Sequence, residues 1–155
     1  MSIHPVPMRF KDENLRLSDF DREVWIVCPA CEKKAVAAVD QDRCTARLLC
    51  TFCGCQRETV TKIGYAKVSL PAHSWFGADL WLQAPFRDEV FFALNGKHLD
   101  YLERYIAADL REHKDRSHFT LLEKLPKFYH EAKNREALLK LISNLKKKNS
   151  LGYIL

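Results

Sequence analysis

The chain has 155 residues, of which 47% are apolar and 29% charged, and its formal net charge at pH 7 is +5. This composition is ordinary for a globular protein of one domain or two small ones. No apolar run approaches the roughly 20 residues that a membrane-spanning helix needs. The mild positive charge permits a nucleic-acid partner without demanding one.

The N-terminal stretch, residues 1–23, is predicted to be an extended arm. It contains two prolines and a mixed-charge segment, and Phe10 and Phe20 are apolar enough to lie on the body of the protein. The first ten residues lack the apolar segment of a secretory signal peptide. We therefore expect a cytoplasmic protein whose thiols stay reduced.

The next stretch, residues 24–66, holds all six cysteines. Two C-x2-C pairs, Cys28 with Cys31 and Cys50 with Cys53, are separated by 18 residues, a spacing typical of a zinc site. Alternating and β-branched segments predict four short strands around them, which are residues 24–27, 35–39, 43–49 and 57–62. The pattern predicts a zinc ribbon with one Zn²⁺ on Cys28, Cys31, Cys50 and Cys53. Four thiolates close the tetrahedral shell, so the zinc would be structural and not catalytic.

Other interpretations of the cysteines are weaker. Disulfides do not suit a reducing compartment, and a thioredoxin-like pair needs a strand–helix context that is missing here. Cys55, in the run Cys53-Gly54-Cys55, is an alternative fourth ligand, but the C-x2-C spacing favours Cys53. Cys44 is interpreted as a thiol that does not bind the metal and is either buried or exposed.

Residues 67–94 are predicted to form an aromatic-rich β link. Candidate strands are residues 66–70, 80–83 and 89–94, and Pro85 should end the second of them. Four large aromatic side chains in this stretch either pack in the core or anchor one module on another, and these are Trp75, Phe76, Trp81 and Phe86.

Residues 95–155 are predicted to form a helical module. Asn95 should cap a helix that runs to about His113, with His98 on the surface. Its apolar face is formed by Leu99, Leu102, Ile106 and Leu110. A final helix after Asn134 has an apolar face formed by Leu138, Leu141, Ile142 and Leu145.

The positive charge is concentrated at the C-terminal end. Residues 1–110 contain 14 Lys and Arg against 15 Asp and Glu, whereas residues 111–155 contain 11 against 5. We expect the last helix to leave four lysines free to contact phosphates, namely Lys140, Lys146, Lys147 and Lys148. An ordinary solvated helix face is the alternative.

Catalytic motifs are missing from the sequence. The six histidines show no metal or catalytic spacing, and no Gly-rich phosphate loop, G-x-S-x-G elbow or H-E-x-x-H motif occurs. We therefore expect that the protein is not an enzyme.

The cysteine segments CPAC and CTFCGC resemble the zinc ribbons of the transcription-factor-IIB type. The segments LWLQAPF, FFALNGKHLDYLERYIAADLRE and LPKFYHEAKNREALLKLISNLKK are similar to those of small bacterial zinc-ribbon proteins. The resemblance spans residues 24–148. It implies a zinc-binding protein of the bacterial cytoplasm with a nucleic-acid or protein-interaction role.

Together these features predict an α+β fold, in which an N-terminal antiparallel zinc ribbon precedes a small, mostly helical module. The predicted function is that of a non-enzymatic adaptor in transcription or other nucleic-acid transactions. The alternative is a protein–protein interaction module, such as an accessory or immunity-type partner of a larger bacterial protein, with no nucleic-acid contact.

Overall fold

The computed structural model describes residues 9–108, 110–112 and 120–151, with side chains for 9–108 and 120–148. The fold is α+β, as predicted, with the four-cysteine cluster and antiparallel sheets in the N-terminal half and two helices in the C-terminal part. The strands are β1 (Arg9–Lys11), β2 (Glu23–Val27), β3 (Lys34–Asp40), β4 (Thr45–Leu49), β5 (Gln56–Val60), β6 (Lys62–Ile63), β7 (Ala66–Lys67), β8 (Leu82–Phe86), β9 (Glu89–Ala93) and β10 (Leu110–Glu112). The helices are α1 (Gly96–Ala107) and α2 (Arg135–Leu151).

Four strands form an antiparallel sheet in the order β2-β3-β4-β5. They lie within two residues of the four predicted strands, because alternation of buried and exposed side chains is a local property of the sequence. One face of the sheet is buried through Val24, Ile26, Ala35, Ala37, Ala46 and Leu48. This face packs into the hydrophobic core of the protein.

The core continues from the sheet into the C-terminal part. The N–H of Trp25 donates to the carbonyl of Leu94 at 2.8 Å, and the N–H of Trp81 donates to the carbonyl of Trp25 at 3.0 Å. Trp81 is fully buried in the same cluster as Ile26 and Leu138. Backbone hydrogen bonds thus join β2 to Trp81 and Leu94, and apolar contacts join the sheet to the helices. The division into arm, ribbon, link and helical module stays a prediction.

Strands β8 and β9 form a hairpin that contains Pro85, which pairs with Val90. The prediction that Pro85 ends its strand is therefore wrong. In a two-stranded ladder, alternate N–H groups point away from the partner strand, so a proline at an outward position costs no hydrogen bond.

Helix α1 begins as predicted, because the side chain of Asn95 accepts the N–H of His98 at 3.0 Å. It ends at Ala107, well before His113, which lies outside the described residues. Residues 110–112 instead form β10, which pairs in parallel with β1. The periodic apolar pattern could not show this pairing, because the partner strand lies about a hundred residues earlier in the chain.

The prediction that His98 lies on the surface is also wrong. Its ring is buried and stacks on Phe20 with the ring centroids 5.0 Å apart. Its Nδ1 accepts the N–H of Leu94 at 2.9 Å. Burial lowers the pKa of His98 to about 4, so the ring is neutral at pH 7.

Helix α2 packs against α1 and β8. Its predicted apolar face is largely confirmed, because Leu138, Ile142 and Leu145 are buried and Leu141 is partly buried. Neither helix in the described part of the chain is long and apolar enough to cross a membrane.

Gly96, the first residue of α1, is held close to Trp25. A Cβ atom added at Gly96 would lie 2.8 Å from Cη2 of Trp25, whose ring centroid is 3.4 Å from Nζ of Lys34. We expect Gly96→Ala to lower the free energy of unfolding by about 1–2 kcal/mol, because overpacking outweighs the better helix propensity of alanine. Urea denaturation measures the change.

Lys97→Ala is the control for this prediction, because Lys97 is the next residue of the helix and is exposed. It should change the unfolding free energy by no more than about 0.5 kcal/mol. Equal stability of Gly96→Ala and the wild type would show that Trp25 can move aside at no cost.

Candidate metal centre

The first cysteine pair lies in a tight turn that we call the first knuckle, residues 28–33. Cys28 directly follows β2, and its N–H donates to the carbonyl of Lys33 at 2.7 Å. The carbonyl of Cys28 accepts the N–H of Glu32 at 2.9 Å, with Glu32 at a positive φ of 64°. The N–H of Ala30 points at Sγ of Cys28 from 3.4 Å.

The second knuckle, residues 50–55, repeats this hydrogen-bond pattern. Cys50 follows β4 and donates its N–H to the carbonyl of Cys55 at 2.9 Å, while its carbonyl accepts the N–H of Gly54 at 2.9 Å. Gly54 has a φ of 79°, which glycine adopts without steric cost. Gly54 thus occupies the position of Glu32, and Cys55 the position of Lys33.

The two knuckles bring four sulfur atoms together. The Sγ atoms of Cys28, Cys31, Cys50 and Cys53 all lie within 4.8 Å of one another. The Cys28–Cys53 and Cys31–Cys50 sulfur pairs are each 3.6 Å apart. Sulfur atoms at 2.3 Å from a tetrahedral zinc ion would be about 3.8 Å apart. The four cysteines can therefore hold a metal ion with little rearrangement.

The protein environment makes the four thiols unequal. Cys28 and Cys50 are fully buried, whereas Cys53 is exposed. Burial raises the pKa of Cys28, but backbone N–H groups of Cys31 and Ala30 outweigh it and lower the pKa to about 6. The N–H of Cys55 lowers the pKa of Cys53, but desolvation and the neighbouring thiols raise it to about 12 overall. A metal ion binds thiolates, so its binding must displace protons from this cluster.

The other two cysteines lie outside the cluster. Cys44 is buried in the turn between β3 and β4, where its thiol donates to the carbonyl of Gln41 at 3.5 Å. Cys55 is partly buried, and its position in the second knuckle corresponds to that of Lys33 in the first. No second group of three or more potential ligands occurs in the described ranges.

The expectation that the basic C-terminal lysines are free is wrong for two of the four. Nζ of Lys146 lies 2.8 Å from Oε1 of Glu103 and 3.0 Å from Oδ1 of Asp100, both on α1. Nζ of Lys148 donates to the carbonyl of Trp81 at 2.7 Å and lies 4.1 Å from the centroid of its ring. Counting charges along one helix could not reveal these partners, because they belong to other elements.

The remaining two lysines, Lys140 and Lys147, are exposed. Together with Lys148 they line a wide groove between α2 and β8. The apolar part of this groove includes Ala84, Pro85 and Leu141. The structure therefore brings three of the four predicted contact lysines to one groove and places Lys146 beside α1.

Sequence reasoning missed a hairpin that follows the four-stranded sheet β2-β3-β4-β5, which we call the ribbon sheet. Residues 66–70 were predicted as one strand, but β6 and β7 form a short hairpin with Gly64 and Tyr65 in its loop. Tyr65 is fully exposed. The available signal was Gly64, whose positive φ of 62° suits a two-residue hairpin loop.

Comparisons of this chain with protein-family models, with curated proteins and with solved structures gave no match. The small antiparallel sheet and its four-cysteine cluster are zinc-ribbon-like. The narrower resemblance to ribbons of the transcription-factor-IIB type stays a sequence-based prediction.

Proposed function

We propose that Cys28, Cys31, Cys50 and Cys53 bind one structural zinc ion. The observation that supports this is the fit of four sulfur atoms to a tetrahedral shell, two of them fully buried. Thiolate sulfur suits zinc, and a shell of four protein ligands has no open position for a substrate or a reactive water. The ion would stabilise the two knuckles, and the protein would not be a metalloenzyme.

We further propose that the protein is a cytoplasmic, non-enzymatic adaptor in transcription or another nucleic-acid transaction. Support comes from the groove beside α2, where Lys140 and Lys147 are exposed above apolar residues. Cations at such a surface neutralise phosphates and release counterions. The alternative is a protein–protein interaction module without nucleic-acid contact, and the exposed apolar residues of the β6–β7 hairpin are compatible with it.

A charge-reversal experiment tests the adaptor proposal. We expect Lys140→Glu combined with Lys147→Glu to weaken binding of labelled single strands and duplexes alike, because phosphate contacts carry no sequence information. The slope of log K against log salt concentration should become shallower by about 1–2, because two phosphate contacts are lost. Fluorescence anisotropy of the zinc-loaded protein at several salt concentrations measures both quantities. Lys146 and Lys148 stay unchanged, because they have structural contacts.

The matched control reverses two other exposed lysines, Lys97 and Lys127, which lie outside the groove. It changes the net charge equally, so a similar loss of affinity in both variants would show a general charge effect and no dedicated groove. Absence of binding by the wild type at low salt would contradict the adaptor proposal and favour the protein-interaction alternative.

A further inference from the structure

The β6–β7 hairpin and the residues beside it carry apolar side chains that no described part of the chain covers. Of the eight large apolar residues that are exposed in the described part of the chain, four lie between residues 60 and 70. They are Val60, Ile63, Tyr65 and Leu70. Such a concentration of exposed apolar surface is typical of an interaction site, whereas single exposed apolar residues need no explanation.

The two strands of the hairpin carry one lysine each, and the loop between them carries Tyr65. Lys62 and Lys67 lie directly opposite each other in the hairpin, and both are exposed. Neither has an ion pair with any residue for which side chains are described. Like charges at directly opposed positions destabilise a β ladder. No ion pair with a described side chain offsets this repulsion, so a partner with closely spaced negative charges would stabilise the pair.

An exposed aromatic ring on the same hairpin as two exposed cations suits single-stranded nucleic acid. Unpaired bases stack on aromatic side chains, and the neighbouring phosphates bind cations, largely without regard to sequence. A duplex offers the same phosphates, but its bases are already stacked and cannot lie on Tyr65. A protein surface could cover the apolar residues, but it would also need two adjacent acidic groups to satisfy Lys62 and Lys67.

A cavity lined by both polar and apolar residues opens beside the hairpin and shares Lys67 with it. Its volume is about 310 Å³, which is large enough for a nucleobase. Hydrogen-bonding groups in its lining include Gln41, Asp42 and Thr61, and Leu70 adds an apolar side. The cavity therefore offers donors and acceptors to an unpaired base on the side of the hairpin where Lys67 lies.

We propose that the β6–β7 hairpin is a binding element for single-stranded nucleic acid. Tyr65 stacks on an unpaired base, and Lys62 and Lys67, side by side on the same hairpin, bind neighbouring phosphates of the strand. This inference rests on the proposed nucleic-acid function and assigns the strand specificity to the hairpin, while the groove beside α2 contacts phosphates of any nucleic acid.

The test uses the full, zinc-loaded chain with a labelled oligothymidylate and a duplex of the same length. A length of about 12 nucleotides lies within the usual site size of proteins that bind single strands. We expect Tyr65→Ala to weaken single-strand binding by roughly 5- to 100-fold, the effect of losing one stacked base, and to leave duplex binding nearly unchanged. Tyr65→Phe is the matched variant, and it should bind within about twofold of the wild type because it keeps the aromatic face.

The lysines are tested separately by replacing Lys62 and Lys67 with methionine. The double variant should lower the logarithmic salt slope of single-strand binding by about 1.4, the value for two phosphate contacts. Circular dichroism and zinc content should match those of the wild type, because the hairpin is exposed and outside the cysteine cluster.

Two results would overturn the inference in different ways. One result is that Tyr65→Ala keeps its single-strand affinity while the Lys140→Glu/Lys147→Glu variant loses affinity. This would refute the binding role of the hairpin and leave the proposed function intact. If the wild type binds neither the oligothymidylate nor the duplex at low salt, the inference and the proposed nucleic-acid function are both refuted. The hairpin would then be a surface for a protein partner.

Discussion

Replacing Cys50 with serine is expected to release the metal ion and to lower the free energy of unfolding by about 4 kcal/mol or more. Cys50 is fully buried, and its sulfur lies 3.6 Å from that of Cys31 in the proposed ligand shell. A serine hydroxyl cannot replace this sulfur, because zinc binds soft thiolate ligands. The binding free energy of a structural zinc ion contributes directly to folding. Elemental analysis of the purified protein and chemical denaturation measure the two effects.

Cys44→Ser and Cys55→Ser are the controls for the metal centre. Neither sulfur belongs to the four-atom cluster, so both variants should retain one metal ion per chain. Full metal content in Cys50→Ser would contradict the assignment of that ligand. Loss of metal in Cys55→Ser would show that Cys55 replaces one of the four proposed ligands.

Replacing Trp81 with alanine is expected to lower the free energy of unfolding by about 3–5 kcal/mol. Trp81 is fully buried in the core shared by the ribbon sheet and the helices, and Lys148 packs on its ring. Since a domain of this kind has a total stability of about 5–15 kcal/mol, this single change removes much of it. Urea denaturation monitored by circular dichroism measures the loss.

Tyr65→Ala provides the comparison, because it also removes an aromatic ring but from a fully exposed position. Its effect on the unfolding free energy should stay within about 0.5 kcal/mol. The folded Trp81→Ala variant should still bind one metal ion per chain, since all four sulfur atoms lie in the knuckles. A loss below about 1 kcal/mol would mean that the surrounding core closes around the vacated space.

The sequence predicts the elements whose signals are local. The two residues between paired cysteines allow one turn to present two sulfurs, and alternation of apolar residues predicts the four strands around them. The strand ends differ slightly, as at β4, which begins at Thr45 because Cys44 adopts a positive φ of 51° in the preceding turn.

The features that sequence reasoning missed depend on partners far away in the chain. His98 is buried because Phe20, far earlier in the chain, covers its ring. Lys146 and Lys148 are engaged because α1 and Trp81 lie beside α2. Periodicity along one helix identifies a polar face, but it cannot show which polar residues find a partner on another element.

During synthesis, β1 leaves the ribosome about a hundred residues before β10, the strand with which it pairs. At about 5–20 residues per second, the nascent arm waits on the order of 5–20 s for its partner. The ribbon sheet needs only neighbouring hairpins, so its strands can pair in that interval. Phe10, which later packs against Tyr101 and Tyr105, stays uncovered until then and is a natural target for a chaperone.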